Sequence, residues 1–213
     1  AALRPSFIGL GCFGFTAPAN LPQAAALPLV RTFQSDFDDE ELIYTVKLGY
    51  AFSSAVNTYA SFTHGYKAGG INLDTTAAVG GADPRFLSEE VDAYEIGLKS
   101  QFADKSATLN LAGFYYDYHN QQFISVDPAT AAAKLINIPE SRIYGAEAEL
   151  SWEANSALTL RTGLGFLNSK VERGVISGIN IAGKKLPTAP SFSMTGGIDL
   201  KLMETDSGKL VLS

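Results

Sequence analysis

Few residues in this 213-residue chain have the types and spacing that metal binding or catalysis requires. The two histidines are His64 and His119, and Asp117 stands two positions before His119, so that in a strand both side chains would share one face. A carboxylate and an imidazole make only part of a metal site, and the sequence offers no evident third ligand. Solvated polar residues are the better interpretation, and we predict no metal site.

An acidic run precedes the first alternating segment and offers clustered oxygens of the kind that bind Ca²⁺. It comprises Asp36, Asp38, Asp39, Glu40 and Glu41. Such runs are usually hydrated segments next to a structured element, and that interpretation is favoured here.

Motifs of nucleophilic and redox chemistry are absent from the sequence. There is no Gly-x-Ser-x-Gly, His-Glu-x-x-His or Cys-x-x-Cys motif and no histidine-bearing triad at a recognisable spacing. The single cysteine, Cys12, has no partner for an intramolecular disulfide. The sequence therefore predicts neither an enzyme nor a cofactor.

The composition favours a strand-rich protein with an apolar exterior. Apolar residues make up 46% of the chain and charged residues 18%, and there are 20 glycines, 9 tyrosines and 13 phenylalanines. The charged fraction is below the roughly 25% usual in soluble domains. A formal net charge of −6 gives no basic surface for nucleic acid, which is excluded as a partner. No stretch approaches the about 20 apolar residues of a transmembrane helix, whereas a barrel strand needs only about 9 to 11 alternating ones.

From residue 42 onward, apolar and polar residues alternate in runs typical of β-strands. In one run, Tyr94, Ile96 and Leu98 alternate with Glu95 and Lys99, so one face would be apolar and the other charged. The predicted strands comprise residues 42–52, 56–66, 91–102, 107–123, 142–153, 158–169 and 192–203, with an eighth starting at 209. For residues 56–66 and 107–123, the pattern does not decide which face is which.

The connections between these runs alternate between short and long. Short turns are predicted around residues 53–55, 103–106, 155–156 and 204–208, and long loops at 67–90, 126–139 and 170–190. This pattern is typical of a transmembrane β-barrel with periplasmic turns and extracellular loops. A soluble β-sandwich would show the same periodicity, but runs of about 11 to 16 residues exceed the usual 5 to 6 of globular sheets.

Several segments resemble the C-terminal barrel of TonB-dependent outer-membrane receptors. The clearest are YASFTHGYKAGGIN at residues 59–72, EVDAYEIGLKS at 90–100 and NLAGFYYDY at 110–118, with YGAEAEL at 144–150 and GKKLPTAP at 183–190. The resemblance extends from Phe33 to about Met203. It implies an all-β fold, an antiparallel transmembrane β-barrel segment of about 7 to 8 strands from a barrel of about 22. Residues 1–32 are expected to be an unplaced loop or a poorly ordered segment, and residues 33–213 a barrel fragment truncated at both ends.

The resemblance also implies a function and a location. Receptors of this family lie in the bacterial outer membrane and take up scarce nutrients, most often ferric siderophores, with energy delivered by the TonB complex through a plug domain. Outer-membrane lipid and lipopolysaccharide are the other expected partners. A passive outer-membrane porin and a soluble β-sandwich binding module remain as alternatives, since both would show the same strand pattern.

Two sets of residues are candidates for function. Cations and aromatic rings suit anionic, catechol-like ferric chelates, and those at the long loops are expected to contact ligand: Tyr66, Lys67, Arg85, Phe86, Lys170 and Arg173. Charged residues on the polar strand faces are expected to line the lumen and contact a plug: Glu95, Lys99, Glu147, Glu149, Arg161, Asp199 and Lys201.

Overall fold

A computed structural model describes residues 37–72, 84–126, 133–176, 178–205 and 208–213 of the chain. All regular elements in these ranges are β-strands. No helix in these ranges has the length and apolar character needed to cross a membrane. The predicted unplaced segment 1–32, with Cys12, and the candidate residue Asp36 lie outside the described residues.

Twelve strands are present in the described part of the chain. They are β1 (Tyr44–Ala51), β2 (Val56–Lys67), β3 (Gly70–Ile71), β4 (Arg85–Phe86), β5 (Glu89–Phe102), β6 (Ala107–Val126), β7 (Ala133–Glu153), β8 (Leu158–Arg173), β9 (Val175–Ile176), β10 (Ile179–Asn180), β11 (Phe192–Thr205) and β12 (Gly208–Leu212). The long strands form one sheet in the order β1-β2-β5-β6-β7-β8-β11-β12, in which every neighbouring pair is antiparallel. The predicted all-β, antiparallel architecture is therefore confirmed.

The strand register gathers apolar side chains on one face of this sheet, here called the apolar face. Leu98 of β5 stands opposite Leu111 of β6, which in turn stands opposite Ala148 of β7. Ile96 and Met194 belong to the same face and remain 62% and 67% exposed. Within the described residues nothing covers this face, as expected if lipid is its solvent.

Local side-chain hydrogen bonds close two of the short turns. The Ser53 Oγ accepts hydrogen bonds from the backbone N–H groups of Ala55 and Val56, both at 3.1 Å. The Asn155 Oδ1 accepts from Ala157 and Leu158 at 2.8 and 3.0 Å. Serine and asparagine favour such turns because their side chains satisfy the backbone N–H groups that the ladder leaves unpaired. These connections define the turn end of the sheet.

One predicted loop is wrong over half its length. Residues 126–139 were expected to be one of the long loops. However, β7 begins at Ala133 and pairs with β6 up to Val126. The ladder passes from His119–Glu140 to Gln121–Ile138, so Pro139 meets Asn120, which takes a left-handed φ of 51°. Proline is tolerated because no ladder bond is required at that pair.

The other two predicted loops also contain regular structure. Residues 67–90 include the small sheet of β3 and β4, and β5 starts at Glu89. Residues 170–190 include the end of β8 at Arg173 and the short hairpin of β9 and β10. These long connections, together with the parts of β6 and β7 nearest to them, here called the upper parts of these strands, define the loop end of the sheet.

A small apolar cluster lies at the loop end. Ile138, Val171 and Leu186 are its buried members, and it also includes the partly buried Phe123, Ile143, Ile181 and Ala189. Backbone hydrogen bonds hold the chain beyond β10 against β8: the Val171 N–H donates to the Lys184 carbonyl at 2.8 Å, and the Gly183 N–H donates to the Val171 carbonyl at 2.7 Å. This connection is therefore packed against the sheet.

Candidate functional site

The second face of the sheet, here called the polar face, carries all seven predicted lumen residues. Glu95, Lys99, Glu147, Glu149 and Arg161 occupy positions of one alternation across β5, β7 and β8. Asp199 and Lys201 of β11 lie on the same face, because Asp199 pairs with Thr159, which shares the face of Arg161 on β8. The register thus brings these side chains onto one face, and their contact with a plug stays a prediction.

A three-residue contact marks the middle of the polar face. The Tyr59 hydroxyl donates a 2.5 Å hydrogen bond to the Glu95 carboxylate, and the Lys47 Nζ lies 4.3 Å from the centre of the Tyr59 ring. The ring lies over Gly97, where a Cβ atom would collide with it. With this position of the ring, a side chain at residue 97 would force Tyr59 to move away from Glu95.

Two adjoining depressions occupy the polar face. The larger, about 290 Å³, is lined by Glu149 and Arg161 and floored by glycines of β8 and β11. The smaller, about 200 Å³, is lined by Tyr59, Lys99 and Glu147. Both are bordered by charges of opposite sign, so each suits a polar partner. Arg161 is also ion-paired with Asp199.

The structure divides the six candidate ligand residues into two groups. Tyr66 and Lys67 end β2, while Arg85 and Phe86 form β4, which pairs with Gly70–Ile71. The second group, Lys170 and Arg173, lies at the end of β8, and three strands of the sheet separate β8 from β2. The structure therefore does not bring all six candidates together.

A row of polar residues crosses the apolar face at the loop end and is here called the charged row. It consists of His64, Asp92, Asp117, Arg142 and Lys170, each opposite the next across neighbouring strands. Two positions closer to the turn end lies an aromatic row of Phe62, Tyr94, Tyr115 and Tyr144, with ring centres 4.8 Å apart for Phe62–Tyr94 and 6.3 Å apart for Tyr94–Tyr115. Aromatic rings next to charges are typical of the boundary of an apolar membrane band.

Ion pairs satisfy most charges at this boundary. Arg142 lies 3.5 Å from Asp117, 3.1 Å from Glu140 and 3.7 Å from Glu172. Lys170 donates to Glu172 at 2.8 Å, and Arg173 donates to Glu140 at 2.6 Å. Lys170 and Arg173, two candidate ligand residues, are therefore already paired with carboxylates.

The hydrogen bond from Lys170, aided by the charges of Lys170 and Arg142, holds the pKa of Glu172 below its usual value of 4.5. The unfolded state then binds the proton first as pH falls. The contribution of the ionised Glu172 carboxylate to stability is fully present above about pH 4.5. It disappears as the pH falls through the lower pKa that Glu172 has in the folded state.

We expect Glu172→Gln to reduce the loss of stability in acid. The measurement is the temperature at which the folded, fast-migrating gel band of the full-length protein disappears, compared between about pH 7 and about pH 3. Asp104→Asn, in the short turn between β5 and β6, is the control and should behave as wild type. An equal acid-induced drop for Glu172→Gln and wild type would contradict the assignment.

The metal candidates gain no support from geometry. No group of three or more His, Cys, Asp or Glu side chains in the described ranges could hold a metal ion. Asp117 contacts Arg142, while His64 bonds Asp92 at 2.7 Å. In the acidic run, the Asp39 carboxylate accepts a 3.1 Å hydrogen bond from the Gly69 N–H.

Three amide residues at the loop end make contacts that the sequence did not predict. Asn72, Gln122 and Asn137 hydrogen-bond the backbone of distant segments. The only sequence signal was the presence of amides near strand ends, which is common in exposed loops. The hydrogen-bond partners of these amides could not be predicted from the sequence because the partners lie up to 63 positions away along the chain.

The long antiparallel strands, the uncovered apolar face and the charged polar face define the wall of an outer-membrane β-barrel. Residues 21–207 match the family described as TonB dependent receptor-like, beta-barrel, and the chain belongs to this family. The family resemblance, the transmembrane barrel fold and the outer-membrane location expected from the sequence are thereby confirmed.

Two relatives match 78% and 56% of the chain and extend far beyond it. A probable TonB-dependent siderophore receptor, PiuA, of Acinetobacter baumannii is 26% identical over 172 residues, which is 78% of this chain and 22% of that protein. The pesticin receptor of Yersinia enterocolitica is 29% identical over 119 residues, 56% of this chain and 17% of that protein. The chain thus spans about a fifth of the length of these relatives.

A solved structure shares the fold. The ferric yersiniabactin uptake receptor FyuA from Yersinia pestis superposes with a TM-score of 0.63 at 21% identity, covering 81% of this chain and 25% of that one. The likeness supports the strand arrangement described above.

Proposed function

We propose that the whole protein is an energy-coupled outer-membrane receptor that takes up a ferric siderophore, and that this chain forms part of its barrel wall. The family match to a TonB dependent receptor-like barrel is the observation that carries the proposal. The names of the relatives, a siderophore receptor and a ferric yersiniabactin uptake receptor, support iron chelates as cargo. The charged polar face would then line the lumen and contact the plug.

Within the mouth, we assign ligand contact chiefly to Lys67, Arg85 and Phe86. Lys67 and Arg85 are exposed at the loop end, and Phe86 is half-buried beside Arg85. An anionic chelate with aromatic iron-binding groups would be bound by charge from the two cations and by ring contact with Phe86. Tyr66 and Arg173 would serve at the rim, whereas Lys170 lies in the charged row on the apolar face.

On the outer side, the charged row would meet the headgroup region of the outer leaflet. The aromatic row would lie at the edge of the hydrocarbon, and Arg142 and Lys170 would face the phosphates and acidic sugars of lipopolysaccharide. Lipid and lipopolysaccharide are therefore part of the proposal as partners of the apolar face and the charged row.

Uptake of radioactive iron by iron-starved cells expressing the full-length receptor tests the function. Tris-catecholate, hydroxamate and phenolate chelates are the probes, with and without an uncoupler of the proton gradient. We expect saturable uptake that the uncoupler abolishes. Uptake that persists with the uncoupler would indicate a passive porin, and no uptake of any chelate would contradict iron as cargo.

Lys67→Ala and Arg85→Ala should each raise the half-saturation concentration of that uptake by about threefold to tenfold, because each removes a charge-assisted contact. Lys105→Ala, at an exposed lysine of the turn between β5 and β6, is the control. Equal half-saturation concentrations for all three variants would remove the mouth assignment.

A further inference from the structure

Side-chain amides join the segment between β2 and β5 to the upper part of β6 and β7. The Asn72 Nδ2 donates to the Leu135 carbonyl at 2.9 Å, and its Oδ1 accepts from the Leu135 N–H at 2.7 Å. A carboxamide offers the same donor and acceptor as a peptide group. Asn72 therefore pairs with the backbone of β7 as a neighbouring strand would.

Asn137 makes the reciprocal contact from β7. Its Oδ1 accepts from the Leu87 N–H at 2.7 Å, and its Nδ2 donates to the carbonyls of Leu87 at 2.9 Å and Asn120 at 2.7 Å. Each asparagine thus pairs with one backbone residue of the other segment, and together they fix both position and direction.

Gln122, directly opposite Asn137 in the β6–β7 ladder, adds a third amide. Its Nε2 donates to the Ala68 carbonyl at 2.8 Å and to the Leu87 carbonyl at 3.2 Å. Its backbone N–H donates to the Glu89 carboxylate at 2.6 Å. We call Asn72, Gln122 and Asn137 the amide clamp, and residues 67–72 with 84–89 the mouth segment.

The opposite face of the same hairpin is also packed. Phe123 and Ile138 are the sequence neighbours of Gln122 and Asn137, so they point to the other side of the strands. There they join the apolar cluster with Val171. The upper β6–β7 hairpin is therefore held on both faces, by the mouth segment on one and by the apolar cluster on the other.

We propose that the amide clamp consists of positioning residues for the ligand mouth. It holds the mouth segment, and with it Lys67, Arg85 and Phe86, in one arrangement before ligand arrives. Such preorganisation raises affinity, because the ordering of the binding groups is completed during folding and not during binding. The term mouth rests on the proposed function, whereas the fixing of the segment does not.

The clamp is separable from the barrel wall. The β6–β7 backbone pairing continues from Gln121–Ile138 to Val126–Ala133, and β2 pairs with β5 from Val56 to Lys67. Of the clamp bonds, only the one from Asn137 to the Asn120 carbonyl joins β7 to β6. Removing an amide should leave these ladders intact. We therefore expect clamp variants to reach the outer membrane and keep the heat-modifiable gel mobility of wild type.

The test measures the mobility of a nitroxide at Leu87→Cys in the full-length receptor, in native outer membranes and in a background from which all other cysteines, Cys12 among them, have been removed. Leu87 is suitable because its side chain is 57% exposed while its backbone is held by the clamp. Asn72→Ala, Asn137→Ala and their combination should increase label mobility. Asn155→Ala is the matched control, since it also removes two amide-to-backbone bonds, but at the turn end.

Asn137→Asp separates hydrogen bonding from space filling. Aspartate keeps the acceptor for the Leu87 N–H, but it cannot donate to the carbonyls of Leu87 and Asn120. The clamp predicts mobility similar to that of Asn137→Ala, whereas a space-filling role predicts wild-type mobility. Unchanged mobility in the Asn72→Ala/Asn137→Ala variant would overturn the clamp.

Uptake of whichever of the ferric tris-catecholate, hydroxamate and phenolate probes wild type imports tests the positioning role. Asn137→Ala should raise the half-saturation concentration by about tenfold and leave the maximal rate nearly unchanged, because the clamp acts on binding and not on translocation. Increased label mobility with an unchanged half-saturation concentration would overturn positioning. If wild type imports no chelate, the proposed function fails, and label mobility still decides whether the clamp fixes the segment.

Discussion

Leu111→Arg is expected to destabilise the full-length receptor by about 2 to 4 kcal/mol, the cost of placing arginine on the lipid face near the bilayer midplane. Leu111 lies on the apolar face opposite Leu98, midway between the aromatic row and the turn end. The arginine would have to leave water without a carboxylate nearby. Urea unfolding of the receptor in lipid vesicles measures the loss, and Leu98→Arg should give a similar value.

Asn110→Arg is the matched control because it changes the preceding residue on the same strand, on the opposite face. Asn110 stands between Lys99 and Glu149 on the polar face, where water and a carboxylate can satisfy a guanidinium. Its effect should be below about 1 kcal/mol. Equal losses for the two variants would show that the apolar face does not contact lipid, and would reopen the soluble sandwich.

Gly145→Ala should destabilise the receptor by about 3 kcal/mol, at the upper end of the range for overpacking. A Cβ at this position would collide with the backbone carbonyl of Phe166, would meet the Phe114 ring at 2.7 Å and would lie 3.2 Å from the Leu167 Cα. Backbone atoms cannot rotate away as a side chain can. The β7 and β8 strands would have to separate locally, and the fraction of heat-modifiable receptor in outer membranes should fall.

Gly113→Ala provides the comparison because it makes the same change on the neighbouring strand β6, where Gly113 stands opposite Ala146, the residue after Gly145. The nearest atoms to its Cβ are the Ile96 Cγ2 at 3.8 Å and the Gly145 carbonyl at 3.9 Å, which are ordinary contacts. This variant should fold as wild type. Similar effects in the two variants would show that the close approach of β8 at Gly145 is not the cause of the destabilisation.

Much of the architecture could be predicted because apolar and polar residues alternate with a period of two along each strand. Glu95 and Lys99 were assigned to one face and Ile96 and Leu98 to the other, and the register agrees. The alternation of short turns and long connections likewise depends only on the spacing of the runs. The segments that resemble TonB-dependent receptors lie in these same runs, so the barrel class and the outer-membrane location followed from the sequence.

The face of β6 could not be predicted because Phe114, Tyr115 and Tyr116 are all aromatic. A local pattern assigns faces only where neighbouring residues differ in polarity. Register decides the matter: Tyr115 pairs with Tyr94 and Tyr144 on the apolar face, which places Phe114 and Tyr116 on the polar face. That pairing is a property of three strands together and of no single one.

The sequence by itself determined the turn-end portions of the long strands, their two-faced character and the class of protein, since these depend on residues within one run. Tertiary structure alone decided the interruption of the β6–β7 ladder at Asn120 and Pro139, the charged row and the amide clamp. Asn137 and Leu87 are 50 positions apart, and Asn72 and Leu135 are 63 apart. An amide specifies that it needs partners but not which ones, so only the folded chain determines where the mouth segment is held.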